Sequence, residues 1–163
     1  MNSSPVASSP SSLDSIAEVL CRSGVSVELR GRGDVSAVGA SQDSRTISEG
    51  EIFLAWKGTT TDAHDYVASA AANGAVAAVV EDYVDVVLPQ LRVSDARRAA
   101  AIIAHWMSGE PTRDLYVTAV TGTNGKTTCA LLIRHLLAQT GPSAAIGTLG
   151  LMGPNGVARP GSS

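Results

Sequence analysis

The most chemically loaded stretch of the chain is Gly122-Thr123-Asn124-Gly125-Lys126-Thr127-Thr128. It holds two glycines, a cation and three hydroxyls within seven residues, between two apolar runs. Those types at that spacing suit a phosphate. Gly125 permits close backbone approach, Lys126 neutralises charge on a β- or γ-phosphate, and the Thr127 hydroxyl is placed to ligate Mg²⁺. Thr128 adds a contact from the first helical turn. The strict phosphate-loop pattern has a glycine six residues before the lysine, where this chain has Val120. The stretch is thus a shorter variant with the same physics, and its expected ligand is a nucleotide phosphate.

Such a loop needs a strand before it and a helix after it. Tyr116–Val120 is short, apolar and β-branched, and predicts a buried strand. Cys129, Leu132, Ile133 and Leu136 recur at helical spacing and predict an amphipathic helix whose N-terminus faces the loop. Unpaired N–H groups and the helix dipole then add to the lysine charge. Cys129 at that terminus reads as a packing residue, with a lowered thiol pKa as the alternative. His135 reads as a surface residue.

Upstream, the pattern alternates. Ser12 caps a helix that Gly24 ends, two short strands follow around Gly31 and Gly33, and Ile52–Trp56 forms a compact strand. A short helix with Asp65 as N-cap, a strand in Ala75–Glu81 and a strand at Leu91–Val93 come next. A helix capped by Ser94 or Asp95 then carries the stripe Ala96, Ala99/Ala100, Ile103 and Met107. Ser108–Asp114, with Gly109 and Pro111, reads as a linker, and a strand is expected at Ser143–Ile146.

Alternating strands and helices make the fold class α/β. The expected organisation is a tail without fixed structure over residues 1–12, an α/β domain over 13–111, and over 112–163 the first β-loop-α-β unit of a second domain. That last piece is short for a domain, so the chain reads as truncated.

Composition excludes several classes. Charged residues are 17% and the net charge is −3, so there is no basic field for nucleic acid. No apolar run reaches membrane-spanning length, and the Ser/Pro-rich start lacks the basic and apolar segments of a secretory signal. Cys21 and Cys129 make neither a disulfide framework nor a metal pattern, which fits the cytoplasm. Ten of the twelve basic residues are arginine; Lys57 and Lys126 are the only lysines, and both fall in loop-like motifs.

The stretch Val117–Thr128, "VTAVTGTNGKTT", resembles the ATP-binding loop of the Mur ligases, ATP-dependent amide-forming enzymes of peptidoglycan precursor synthesis. Folylpolyglutamate synthetases carry a related loop. The upstream stretch "QDSRTISEGEIFLAWKGTTTDAHDYVASAAANGAVAAVVED" is similar to the first domain of the family members that add the third residue or the D-Ala-D-Ala unit. "IGTLG" (Ile146 to Gly150) favours the third-residue enzyme. The resemblance implies a UDP-sugar-binding first domain and a P-loop-type ATP-binding central domain, with ATP and Mg²⁺ as cofactors. It implies a fragment of a monomeric ligase joining a diamino acid to UDP-MurNAc-L-Ala-D-Glu, inactive without the family's downstream catalytic residues. Gln42 and Ser44, with Thr59, Thr60 and Thr61, would contact the uridine diphosphate end; Gly122, Thr123, Asn124, Gly125, Lys126, Thr127 and Thr128 would hold ATP, Lys126 as the catalytic cation and Thr127 on Mg²⁺. Ala63 stands where the family usually has glycine. The alternatives are the D-Ala-D-Ala-adding enzyme and a non-catalytic UDP-sugar-binding module.

Overall fold

The computed structural model describes residues 10–155 and 158–159. The chain divides into two compact units, Met1–Leu115 and Tyr116–Ser163.

The first unit is α/β around a mixed five-stranded sheet. Its elements are β1 (Ser11–Ser12), α1 (Leu13–Arg22), β2 (Val27–Arg30), β3 (Ser36–Ala37), β4 (Gly39–Ser41), β5 (Glu51–Leu54), α2 (Val67–Ala72), β6 (Ala77–Val80), β7 (Gln90–Val93) and α3 (Ala96–Met107). The sheet order is β2-β7-β6-β5-β4; β4, β5, β6 and β7 run parallel, and β2 closes one edge antiparallel to β7. The period-two alternation of β5 and β6 distributes their side chains. Ile52, Leu54, Ala77 and Val79 pack with Leu13, Ile16 and Leu20 of α1 and Ala99 and Ile103 of α3. Phe53, Ala55, Ala78 and Val80 face the other way, onto Val67 and Ala70 of α2. Both faces are covered, so these strands are apolar throughout.

The expected caps of α1 and α3 are present. Ser12 Oγ accepts from Ser15 N at 3.2 Å, and Asp95 Oδ1 accepts from Arg98 N at 2.9 Å. The stripe Ala96, Ala99, Ile103 and Met107 is the buried side of α3. Gln90, fully buried, exchanges two 2.9 Å hydrogen bonds with the backbone of Val84. That pins the short β6–β7 connection, and the buried amide is left with no unmet polar atom.

Several expectations need correction. Residues 1–9 of the expected tail lie outside the described residues, but Ser11 and Ser12 pair with Ala37 and Ser36 rather than hanging loose. The strand expected at Ile52–Trp56 is Glu51–Leu54, because parallel pairing with β4 begins at Glu51. Asp65 caps nothing. Asp62 caps a 3₁₀ turn, Ala63–Tyr66, that leads into α2, since its carboxylate reaches the His64 N–H.

The second unit contains α4 (Lys126–Leu137) and a three-stranded antiparallel sheet of β8 (Ala145–Gly147), β9 (Gly150–Met152) and β10 (Ala158–Arg159), in the order β10-β9-β8. The strand expected at Ser143–Ile146 is therefore shifted to Ala145–Gly147. α4 lies against β8. Arg134 Nη2 donates to Gly153 O at 2.6 Å, and Ser143 Oγ donates to Arg134 O at 2.9 Å, clamping the hairpin to the helix.

Tyr116–Val120 is neither a strand nor buried: no described segment pairs with it, and Tyr116 is 90% exposed. β-propensity without a partner strand makes no ladder. The helix facing is corrected in part. Thr127, Ala130, Leu131, Ile133 and Arg134 are half-buried, so Ile133 keeps its expected side, while Leu132 and Leu136 are exposed, and so is Cys129, which has no packing role here. His135 is exposed, as expected.

Candidate functional sites

Parallel β4, β5, β6 and β7 end on one edge of the sheet, and the loops leaving that edge carry the polar residues singled out above. In open α/β sheets this carboxyl edge is where ligands settle.

After β4, Ser41 Oγ accepts from Asp43 N at 3.2 Å, and Asp43 Oδ1 accepts from Arg45 N at 3.0 Å. The Arg45 guanidinium grips both Asp43 oxygens, at 2.9 and 2.8 Å. That bond, helped by the Arg45 N–H, pulls the Asp43 carboxyl down to about 2. "DSR" therefore builds its own turn and ion pair, with Asp43 and Arg45 committed to each other. Ser44 is buried, its carbonyl accepting from Asn73 Nδ2 at 2.8 Å, while Gln42 is exposed.

After β5, the chain makes a tight excursion. Ala63 N donates to Trp56 O at 3.2 Å, Lys57 and Asp62 pair as an antiparallel bridge, and Gly58 N donates to Thr61 O at 2.9 Å. Thr59, Thr60 and Thr61 are thereby held exposed at the tip. Gly58 is needed there: a Cβ on it would stand 2.7 Å from Thr61 O. Ala63 sits where φ is not positive, so its replacement of the family's glycine leaves this turn unstrained. Gln42 and Ser44 thus follow β4, and the three threonines follow its direct neighbour β5, on one edge.

Two residues hold this edge together, His64 in the loop-fixing role its sequence context suggests, and Glu81. His64 Nδ1 lies 2.6 Å from Asp62 Oδ1, and its Nε2 accepts from Glu81 N at 2.9 Å and Asp82 N at 3.3 Å. A backbone N–H can only donate, so Nε2 carries the lone pair and Nδ1 the proton. Accepting from the His64 N–H and ring also holds the Asp62 carboxyl below its ordinary range. Glu81 is the second. Its Oε2 accepts from Lys57 N at 3.4 Å and its Oε1 from Ala96 N at 3.2 Å, joining the β5 loop to the start of α3. Its signal was only a carboxylate at the end of an apolar strand.

In the second unit, Gly122 (φ 144°) and Gly125 (φ 75°) occupy positive-φ positions that favour glycine, and Gly125 is the N-cap of α4. No side chain caps that terminus. The loop's expected residues, Gly122 through Thr128, therefore lie together around uncapped helix N–H groups. Lys126 Nζ folds over the loop, donating to Gly122 O at 2.5 Å and to Thr123 O at 3.3 Å. Thr127 Oγ1 is 3.4 Å from Thr148 Oγ1 on the β8–β9 turn, a neighbour that the loop motif alone does not reveal. Among the described residues no group of three or more His, Cys, Asp or Glu could hold a metal. Hydroxyl oxygen is nevertheless compatible with Mg²⁺, which keeps several waters and takes further oxygens from phosphates.

A family model described as "Mur ligase family, catalytic domain" matches residues 37–108, the stretch that contains Gln42, Ser44 and Thr59–Thr61. The chain is 42% identical over 118 residues to the UDP-N-acetylmuramoyl-L-alanyl-D-glutamate–2,6-diaminopimelate ligase of Geobacillus kaustophilus, a match covering 72% of this chain and 24% of that one. The chain belongs to the Mur ligase family. It spans about a quarter of the length of the curated relatives it matches. Two solved Mur ligases share its fold. Crystal structure I of MurF from Acinetobacter baumannii superposes with a TM-score of 0.64 at 29% identity, covering 82% of this chain and 29% of MurF. A structure of a UDP-N-acetylmuramoyl-L-alanyl-D-glutamate–2,6-diaminopimelate ligase gives 0.64 at 25% identity, covering 91% of this Mur ligase chain and 31% of the other.

Proposed function

We propose that this chain supplies the UDP-sugar-binding domain and the ATP-phosphate loop, the start of a P-loop-type central domain, of a ligase that joins a diamino acid to UDP-MurNAc-L-Ala-D-Glu. The observation that carries the reading is the family match over residues 37–108, because the five residues expected to contact the uridine diphosphate lie within it and leave one sheet edge. The activity named for the 42%-identical relative of Geobacillus kaustophilus supports diaminopimelate as the amine and peptidoglycan precursor synthesis as the pathway. A cytoplasmic site of action accords with that substrate and with the unpaired, exposed Cys21 and Cys129.

The chemistry asked of these residues is positioning and charge neutralisation. At the sheet edge, the threonine hydroxyls and exposed N–H groups of the Thr59–Thr61 tip offer donors to a diphosphate, with Ser44 and Gln42 beside them in the next loop. At the glycine loop, Lys126 leaves its two carbonyl partners to meet the terminal phosphates of ATP, and the helix N–H groups take further oxygens. Thr127 would hold Mg²⁺, which when bound offsets phosphate charge. The D-glutamate carboxylate then attacks the γ-phosphorus, expelling ADP, to give an acyl phosphate. The amine attacks its carbonyl to give a tetrahedral intermediate that expels phosphate and loses a proton to leave the amide. We expect no amide product from these 163 residues alone.

Calorimetric titration with UDP-MurNAc-L-Ala-D-Glu tests the first-domain assignment. Binding that Thr60→Ala and Ser44→Ala weaken is expected; heat indistinguishable from dilution contradicts it. A second reading, the D-Ala-D-Ala-adding enzyme, draws on the equal TM-score of MurF. Tighter binding of the UDP-MurNAc-tripeptide than of the dipeptide form would favour it.

A further inference from the structure

The Gly147-Thr148-Leu149-Gly150 turn has so far served only to indicate kinship, yet it delivers a hydroxyl to the glycine loop. Gly147 pairs with Gly150 across the β8–β9 hairpin, and Gly150 takes the left-handed position of the turn (φ 82°). Thr148 is carried at the turn with its hydroxyl 3.4 Å from that of Thr127, 21 residues away in sequence.

A hydroxyl that gives its oxygen lone pair to a cation still has a proton to place. A helical threonine ordinarily donates that proton to the carbonyl four residues earlier. Thr127 is the second residue of α4, so the residue four before it, Thr123, lies ahead of the Gly125 N-cap and offers no helical carbonyl. Thr148 Oγ1 is the side-chain hydroxyl that stands within reach. The hairpin that carries this turn is held to α4 just past β9, where Arg134 Nη2 donates to Gly153 O.

We propose that Thr148 is a positioning residue for the nucleotide loop: its hydroxyl accepts the Thr127 proton and so turns the Thr127 lone pair toward a divalent cation. The proposal rests on reading the loop as a Mg²⁺-nucleotide site. Outer hydroxyls of this kind tune metal affinity rather than nucleotide affinity as such. The expected phenotype is therefore a changed Mg²⁺ requirement with unchanged metal-free binding.

The test is a titration of the full chain with N-methylanthraniloyl-ATP, with Mg²⁺ varied and one arm in EDTA. Thr148→Val is expected to raise the half-maximal Mg²⁺ concentration roughly tenfold and to leave binding in EDTA unchanged. Thr148→Ser is expected to restore the wild-type requirement. Thr127→Val should show the same Mg²⁺ defect, and the double variant should add nothing to it, because the two residues act as one unit. An unchanged Mg²⁺ requirement in Thr148→Val overturns the proposal, as does equal weakening with and without Mg²⁺. A wild-type chain that binds no nucleotide overturns both the proposal and the reading beneath it, so the two failures are distinguishable.

Discussion

The two units spend their apolar residues differently. In the first, α1, α2 and α3 each bury a stripe on a sheet covered on both faces, and Leu13, Ile16, Leu20, Ile52, Leu91 and Ile103 are all at most 1% exposed. In the second, α4 has no buried residue, and Leu132, Leu136, Ile146 and Leu149 are exposed. The first unit is thus a packed scaffold that holds polar loops at one edge. In the second, the glycine turn is shaped by its own glycines, Lys126 and a hairpin, with little core behind it.

That contrast can be broken most directly in the cores. Ile103→Ala should destabilise the first unit by about 2–5 kcal/mol, read from urea unfolding through the fluorescence of Trp56 and Trp106. Leu132→Ala, on an exposed face, should change the protection of α4 amides by no more than about 0.5 kcal/mol. Equal costs would mean the two units are packed alike.

The next effect is confined to the loop. Lys126→Ala should weaken nucleotide binding by roughly 10- to 100-fold, the range for a lost charge-assisted hydrogen bond, without moving the tryptophan-detected transition. A variant that binds as well as wild type would remove the lysine from the account. Smaller is the effect of Gly58→Ala. Its Cβ cannot coexist with Thr61 O at 2.7 Å, so the Gly58–Thr61 bond must open, and UDP-sugar affinity should fall about fivefold for about 1 kcal/mol of lost hydrogen bonding.

The smallest effect is a titration. The Arg45 guanidinium holds the Asp43 carboxyl at about 2 in the folded chain, below its ordinary 3.8. A depressed carboxyl contributes stability that is present above 3.8 and is lost as pH falls toward about 2. Carboxyl-carbon NMR should place the Asp43 midpoint near that value and move it upward in Arg45→Ala; an unmoved midpoint would dissolve the ion pair as its cause.

Periodicity made most of the first unit legible because its elements satisfy their own pattern. The stripe of α3, the caps Ser12 and Asp95, and the doubly buried β6 all follow from residues within a few positions of one another. Where the reading slipped, a long-range partner decided. Tyr116–Val120 has strand composition but no described strand pairs with it, and of the expected α4 stripe only Ile133 is half-buried, the rest of the covered side being Thr127, Ala130, Leu131 and Arg134. The sites divide the same way. Gly122–Thr128 and Thr59–Thr61 are contiguous and visible as motifs, whereas Glu81 carries no local signature and acts on residues 15 and 24 positions away, and the Ile146–Gly150 motif does not reveal that its Thr148 meets Thr127, 21 positions away.

The most direct test is one ¹H–¹⁵N correlation spectrum of the full chain, titrated in turn with Mg²⁺-ATP and with UDP-MurNAc-L-Ala-D-Glu. The account expects ATP to shift amides of Gly122–Thr128, and the UDP-sugar to shift those of Gln42, Ser44 and Thr59–Thr61. Saturating ligand that leaves both sets of amides unmoved would contradict it.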